Sequence, residues 1–281
     1  MNNAITPIRR NLSFHLPKEE ISRWNNQHLH ISHFYNTLSI FFPVGERFFI
    51  DSVRNYRSQI TDPELKASVT AFIGQEAMHG REHDEYNEAM AEAGLPVKKM
   101  EAKVTWFLGF LQRILPHSLQ LAVTVALEHL TAILADTLLR DPDLLKNAHP
   151  RYAAIWQWHA LEETEHKAVA FDVYTQVVGK GLKAYLHRTF ALTMATIIFW
   201  MLFYTFYIQV IRKEGGLWDF KGWAASFSFQ WLKPGVLRRV IPEWFEFYRP
   251  GFHPWDQDNR QYLDRIDELV TQVDGFSATA H

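Results

Sequence analysis

The sequence predicts an all-α fold: four helices joined by short connections as an antiparallel bundle, then a long hydrophobic helix and short amphipathic ones. Two observations carry this. Apolar residues recur at helical spacing over long stretches, and Pro and Gly fall between those stretches rather than inside them.

Residues 1–30 are polar and punctuated by Pro, which predicts an arm lying over the surface. A first helix is expected from Ser32 to Gln59, with Pro43 kinking or restarting it. Asp62 can cap the second, Pro63 suits its first turn, and Gly94-Leu95-Pro96 ends it. The third apolar region runs from Val104 to Leu139 with an interruption at Pro116. A fourth starts near Pro150 and stops at Gly179-Lys180-Gly181. Residues 31–180 are therefore expected to form the bundle, and 181–281 an extension packed on it or on a membrane.

From Thr189 to Ile211 the chain runs 23 residues without a charge, with Arg188 before and Arg212-Lys213 after. That is about 34 Å of helix, enough to cross the hydrocarbon core of a bilayer. Four Thr and one Gln keep a second environment open, burial against the bundle or in a homodimer interface. The tail beyond Leu217 mixes Trp218, Trp223, Trp231, Trp244 and Trp255 with Lys221, Lys233, Arg238 and Arg239, a composition that suits a membrane–water interface. A location on the cytoplasmic side is expected, because the start, MNNAITPIRRNLSFHLP, lacks the apolar core of a cleaved signal peptide. Membrane association or a single pass through 189–211 is compatible with it.

Composition narrows the chemistry. No cysteine is present, so disulfides, thiolate metal sites, iron–sulfur clusters and a cysteine nucleophile are excluded. Lys plus Arg number 29 against 31 acids, a net charge of -2, which argues against a nucleic-acid partner. Any metal must be held by His, Asp and Glu.

Those residues are patterned. Glu76 and His79 stand three apart on one face of the second helix, and His159, Glu163 and His166 share a face of the fourth, within about 60° of arc. Glu46 and Glu128 each interrupt an apolar stripe that carries no Lys or Arg. An unpaired buried carboxylate costs several kcal/mol, and cations shared among four inward Glu would remove that penalty. The order is Glu46, then Glu76-x-x-His79, then Glu128, then Glu163-x-x-His166, one cluster per helix. A bundle so marked brings four Glu and two His to one midpoint, as in carboxylate-bridged dimetal proteins. His159 adds a seventh ligand and makes the two positions unequal, with a hydrogen-bonding role behind a ligand as its rival. His83, seven after Glu76, is expected in the core or hydrogen-bonded behind the ligands. Carboxylate and imidazole together suit iron or manganese better than calcium or magnesium. Glu162 and Glu165 fall on other faces and are expected in solvent. His129 is expected to be structural, Asp172 shows no partner, and His28, His30, His33, His117, His149, His187 and His253 read as surface, cap or turn residues.

These segments resemble a bacterial family described as predicted metal-dependent hydrolases. The resemblance lies in Gly45-Glu46-Arg47-Phe48-Phe49, QEAMHGREH at 75–83, EETEH at 162–166 and RPGFHP at 249–254. The ligand order is similar to that of ferritin-like di-iron proteins, and the run at 159–166 to that of di-iron arylamine N-oxygenases. Carried over by position, the resemblance implies Glu46, Glu76, His79, Glu128, His159, Glu163 and His166 as metal ligands. On this basis the leading expectation is a di-iron enzyme that oxidises a hydrophobic small-molecule substrate with O2 and an electron donor. Hydrolysis by a metal-activated water is the alternative, and iron binding without turnover a third reading.

Overall fold

A computed structural model describes residues 5–278. Eleven α-helices are found among the described residues: α1 (Leu29–Ser39), α2 (Phe42–Arg54), α3 (Pro63–Glu92), α4 (Val97–Ile114), α5 (His117–Arg140), α6 (Pro150–His166), α7 (Val169–Val177), α8 (Leu182–Lys213), α9 (Phe220–Trp231), α10 (Val236–Glu246) and α11 (Ile266–Ala278). No strand occurs among them; one isolated bridge joins Asn25 and Ala148. The all-α expectation holds.

Local chemistry sets most boundaries. The expected first helix is two, because α1 ends at Ser39 and the chain restarts with Pro43 in the first turn of α2. Proline tolerates that position since it has no N–H to leave unpaired. The Asp62 carboxylate accepts from the Glu64 N–H at 2.9 Å and caps α3, whose end is followed by Gly94 at φ +86°. Pro116, extended at ψ 151°, separates α4 from α5. The fourth expected helix is broken after His166, where neither Pro nor Gly marks a break. Lys167 at this break donates to the Gln257 carbonyl at 2.7 Å and to Asn259 Oδ1 at 2.8 Å.

The N-terminal arm differs from expectation. Leu12, Phe14, Ile21 and Trp24 are buried, and the Trp24 indole N–H donates to Asn36 Oδ1 at 2.8 Å while its ring stacks on Tyr152. Burying a side chain of this size stabilises by about 1.5–3 kcal/mol, which a surface-lying arm would forgo.

Two apolar clusters form the core, one around the arm, α1, α6 and the second half of α8, the other around α5, α7 and the first half of α8. Along α2 the chain passes from Val44 in the first to Phe48 in the second, with Glu46 between. On α3, Glu76 and His79 fall between Phe72 and Tyr86, and on α6, Glu163 and His166 follow Leu161. The acidic residues thus sit where the helices cross from one cluster to the other.

Both α5 and α8 are long and apolar enough to cross a membrane, but two thirds of the α5 window (67%) is buried in the protein against 28% for α8. The α8 helix lies along the bundle. One face, with Ala184, Arg188, Leu192, Phe203 and Val210, is buried, while Leu186, Phe190, Met194, Ile197, Met201 and Ile208 point outward. Buried Arg188 donates to the Arg249 carbonyl at 2.8 Å and also to that of Phe247.

Candidate metal centre

Helices α2, α3, α5 and α6 bring Glu46, Glu76, His79, Glu128, His159, Glu163 and His166 together, each at most 4% exposed. Their donor atoms form three overlapping sets: Glu46 with His79 and His159, Glu76 with His79 and Glu163, and Glu76 with Glu128 and His166. Within each set all atoms lie within 4.8 Å of one another. One oxygen, Glu163 Oε1, lies 3.0 Å from His159 Nε2, 3.6 Å from His166 Nε2 and 4.0 Å from His79 Nδ1. His166 Nε2 is also 3.1 Å from Glu76 and 3.5 Å from Glu128. On α3, Gly80 makes room for this packing, since a Cβ there would meet Glu46 Oε2 at 3.1 Å.

The outer hydrogen bonds fix which ring nitrogens face inward. Gln75 Nε2 donates to Glu165 at 2.6 Å and to the Ile8 carbonyl at 3.1 Å, so Gln75 Oε1 must accept, at 3.0 Å, from His166 Nδ1–H. His79 Nε2 lies 3.1 Å from the Glu162 carboxylate, which accepts. Asn87 Nδ2 donates to Glu101 and to the Ser39 carbonyl, leaving its oxygen to accept from the Ser39 hydroxyl at 2.8 Å. Ser39 Oγ then accepts from His83 Nδ1–H at 2.9 Å, and the bare Nε2 of His83 accepts from His159 Nδ1–H at 2.8 Å. Each of the three inner imidazoles therefore carries a proton on its outer nitrogen and turns its inner nitrogen toward carboxylates. Only a proton or a cation between them makes such an approach favourable.

The carboxylates carry the same strain. Both oxygens of Glu46, Glu76 and Glu128 are buried without a well-directed hydrogen bond. Burial, then the neighbouring Glu76 and Glu163, push the Glu46 and Glu128 carboxyls well above the usual range. Burial also raises Glu76, against the pull of His166. Burial opposes ionisation of Glu163 too, but His166 and His159 outweigh it and hold this carboxyl well below normal. His79 is driven well down by burial and by His159 and His166, while Glu163 overcomes the burial of His166 and holds it well up. Four carboxylates balance the charge of two divalent cations, and the donor set, oxygen and imidazole nitrogen with two outer carboxylate or amide supports, fits them.

Several residues stand where the sequence did not place them. Glu162 and Glu165, expected in solvent, are buried beneath the arm: Arg10 reaches Glu162 at 3.1 Å and Glu165 at 2.8 Å. Burial pushes Glu162 up to about 7 against that pairing. The signal was Arg10 in the arm, whose contact with α6 no local pattern reveals. His30 and His33 are fully buried rather than surface residues. His28, His149 and His253 do cap helices, His129 bonds to the Glu243 carbonyl, and Asp172 pairs with His253 at 3.0 Å. His83 occupies the outer position, not the inner one.

No curated protein and no solved structure matches the chain with significance. A family model described as "Predicted metal-dependent hydrolase" matches residues 8–258. This finding overturns the expectation of O2-dependent oxidation by a di-iron enzyme and favours the hydrolytic alternative. The physical reason is that carboxylates and imidazoles which hold two cations serve both chemistries, so ligand spacing does not separate them. With nearly all of its length matched, the chain belongs to the family of predicted metal-dependent hydrolases.

Proposed function

We propose that the chain is a dimetal hydrolase whose ligands are Glu46, Glu76, His79, Glu128, His159, Glu163 and His166. The observation that carries this is the inward turn of three imidazole nitrogens, each with its other nitrogen already hydrogen-bonded, onto Glu163 and the unbonded carboxylates around it. Glu46, His79 and His159 would hold one ion, Glu128 and His166 the other, with Glu76 and Glu163 between them, because those two belong to sets on both sides. Iron or manganese suits this mixed ligation. When bound, two such ions polarise the scissile group and supply hydroxide at neutral pH.

The protein's own part is placement. Thr131 donates to Glu163 Oε2 at 2.6 Å and sets that carboxylate. Glu162, Gln75 and His83 keep protons on the outer nitrogens of His79, His166 and His159, so the inner ones stay free. The apolar clusters on either side exclude bulk water, so only water admitted to the centre reacts. The test is to load the purified chain with Mn2+ under argon and assay acyl ester hydrolysis. Metal-dependent turnover without O2 is expected; turnover that needs both O2 and a reductant would contradict the reading.

We also propose that α8 lies in a membrane surface, along the bilayer rather than through it. The outward stripe from Leu186 to Ile208 supports this, as do the exposed Trp218 and Phe220 that follow it. Flotation with phosphatidylglycerol vesicles is the expected result, abolished by Phe190→Glu and Met201→Glu together. A soluble dimer that buries the stripe and does not float would contradict it.

A further inference from the structure

A groove of about 320 Å3 runs along α5 between α4 and α8, and its inner wall carries Glu46, His159 and Glu163. The size lies within the range of roughly 300–1,000 Å3 common to small-molecule sites. Its floor is one stripe of α5, Leu119, Val123, Leu127, Leu134 and Leu138, with Thr131 in the same row beside Glu163. Phe107 and Leu111 of α4 and Met194 and Ile198 of α8 also line it. Apart from Glu46, Glu163 and His159 the only polar groups lining it are the Tyr35 and Thr131 hydroxyls and the Trp156 indole N–H, too few to satisfy a sugar, a nucleotide or a peptide along its length.

Its shape is as informative as its chemistry. Twelve helical positions separate Thr131 from Leu119, about 18 Å of apolar floor, against about 10 Å from Thr131 to Leu138. A ligand with its polar end at Glu163 therefore meets a long apolar arm to fill. Phe190 and Met194, exposed by 59% and 38%, stand at the mouth on the outward face of α8.

We propose that this groove is the channel for the unbranched aliphatic chain of a long-chain acyl ester, whose acyl carbon lies at the Glu163 end. The bond cleaved rests on the hydrolase reading above; the binding of the chain does not. In the reaction the acyl carbon takes the hydroxyl of one water, the C–O bond to the alcohol breaks, and the alcohol leaves with the remaining proton. The product is a fatty acid, which loses its proton to solvent and, as the carboxylate, occupies the same channel.

The test is calorimetric titration of the metal-loaded chain with hexanoate, decanoate and palmitate. Affinity is expected to rise by up to about fourfold per added methylene until the channel is full. Val123→Trp, which blocks the floor, is expected to weaken palmitate binding at least tenfold and to move the preference to shorter chains. Met194→Trp at the half-open mouth repeats the block without rebuilding the core. Affinity that ignores chain length, or palmitate binding undiminished in both variants, overturns the proposal. Chain-length-dependent binding with no ester cleaved under any metal would leave the channel standing and sink the hydrolase reading. Cleavage of esters regardless of chain length, with no long-chain affinity, would do the reverse.

Discussion

His83 Nε2 lies 2.8 Å from His159 Nδ1, and the Ser39 hydroxyl on the other side of the His83 ring determines which of the two donates. Burial, followed by His159, holds His83 well below the ordinary imidazole range, so it stays neutral and accepts. Its removal frees the His159 ring to rotate or change tautomer. His83→Ala is expected to weaken metal binding by about 10–100-fold, and His83→Gln, whose amide oxygen can accept the same proton, to restore part of it. Competition with a chromophoric chelator measures both; equal affinity in all three proteins would remove His83 from the site.

Gly80 controls the approach of Glu46. With a Cβ meeting Glu46 Oε2 at 3.1 Å, Gly80→Ala forces a shift of a few tenths of an ångström, and the branched Gly80→Val displaces the carboxylate altogether. Metal content is expected to fall modestly in the first and to about half or less in the second, with helicity by circular dichroism unchanged. Full metal loading of Gly80→Val would show that Glu46 is not needed.

Among the described residues Arg10 is the one Lys or Arg side chain that pairs with Glu162 and Glu165, both of which are buried. Arg10→Ala takes the guanidinium from two buried acids, leaving Glu162 to His79 and Glu165 to Gln75. Urea unfolding is expected to show a loss on the order of 3 kcal/mol, and Arg10→Lys, which cannot span both carboxylates with one fork, an intermediate loss. A change under about 0.5 kcal/mol would place the pair with ordinary surface bridges.

Much of the centre was legible in the sequence because it is local: Glu46 and Glu128 break apolar stripes, and Glu76, His79, Glu163 and His166 share helix faces at steps of three. Pro43, Asp62 and Pro116 likewise act on their own neighbours, and each boundary appears where expected. Illegible were features made by distant chain segments. Helical spacing does turn Glu162 and Glu165 away from the ligand face, but nothing local shows that the arm covers that other face with Phe14 and Arg10. The break after His166 is held by Lys167 against residues about 90 positions further on. His30 is buried against Trp223 of α9, again a contact without a sequence period.

Glu82 gives a pH signature of its own. Burial raises its carboxyl to about 7, against Arg81 and the Phe14 N–H. Its folded value exceeds the unfolded one, so below the unfolded value both states are protonated and no penalty exists. As pH rises from about 4.5 to 7 the folded state must give up a proton it prefers to keep, and stability is lost. The stability gained by Glu82→Gln over wild type is therefore expected to grow across that window and level off above it. Denaturant melts at pH 4.5, 6 and 8 check this; a gain that shrinks with rising pH would reverse the sign.

Metal stoichiometry addresses the centre itself. Elemental analysis of the purified chain is expected to give two iron or manganese ions per polypeptide, and fewer than one in Glu128→Ala folded to the same helicity. Metal-free wild-type protein that cannot be loaded, or an unchanged complement in Glu128→Ala, would contradict a shared dimetal site between α2, α3, α5 and α6.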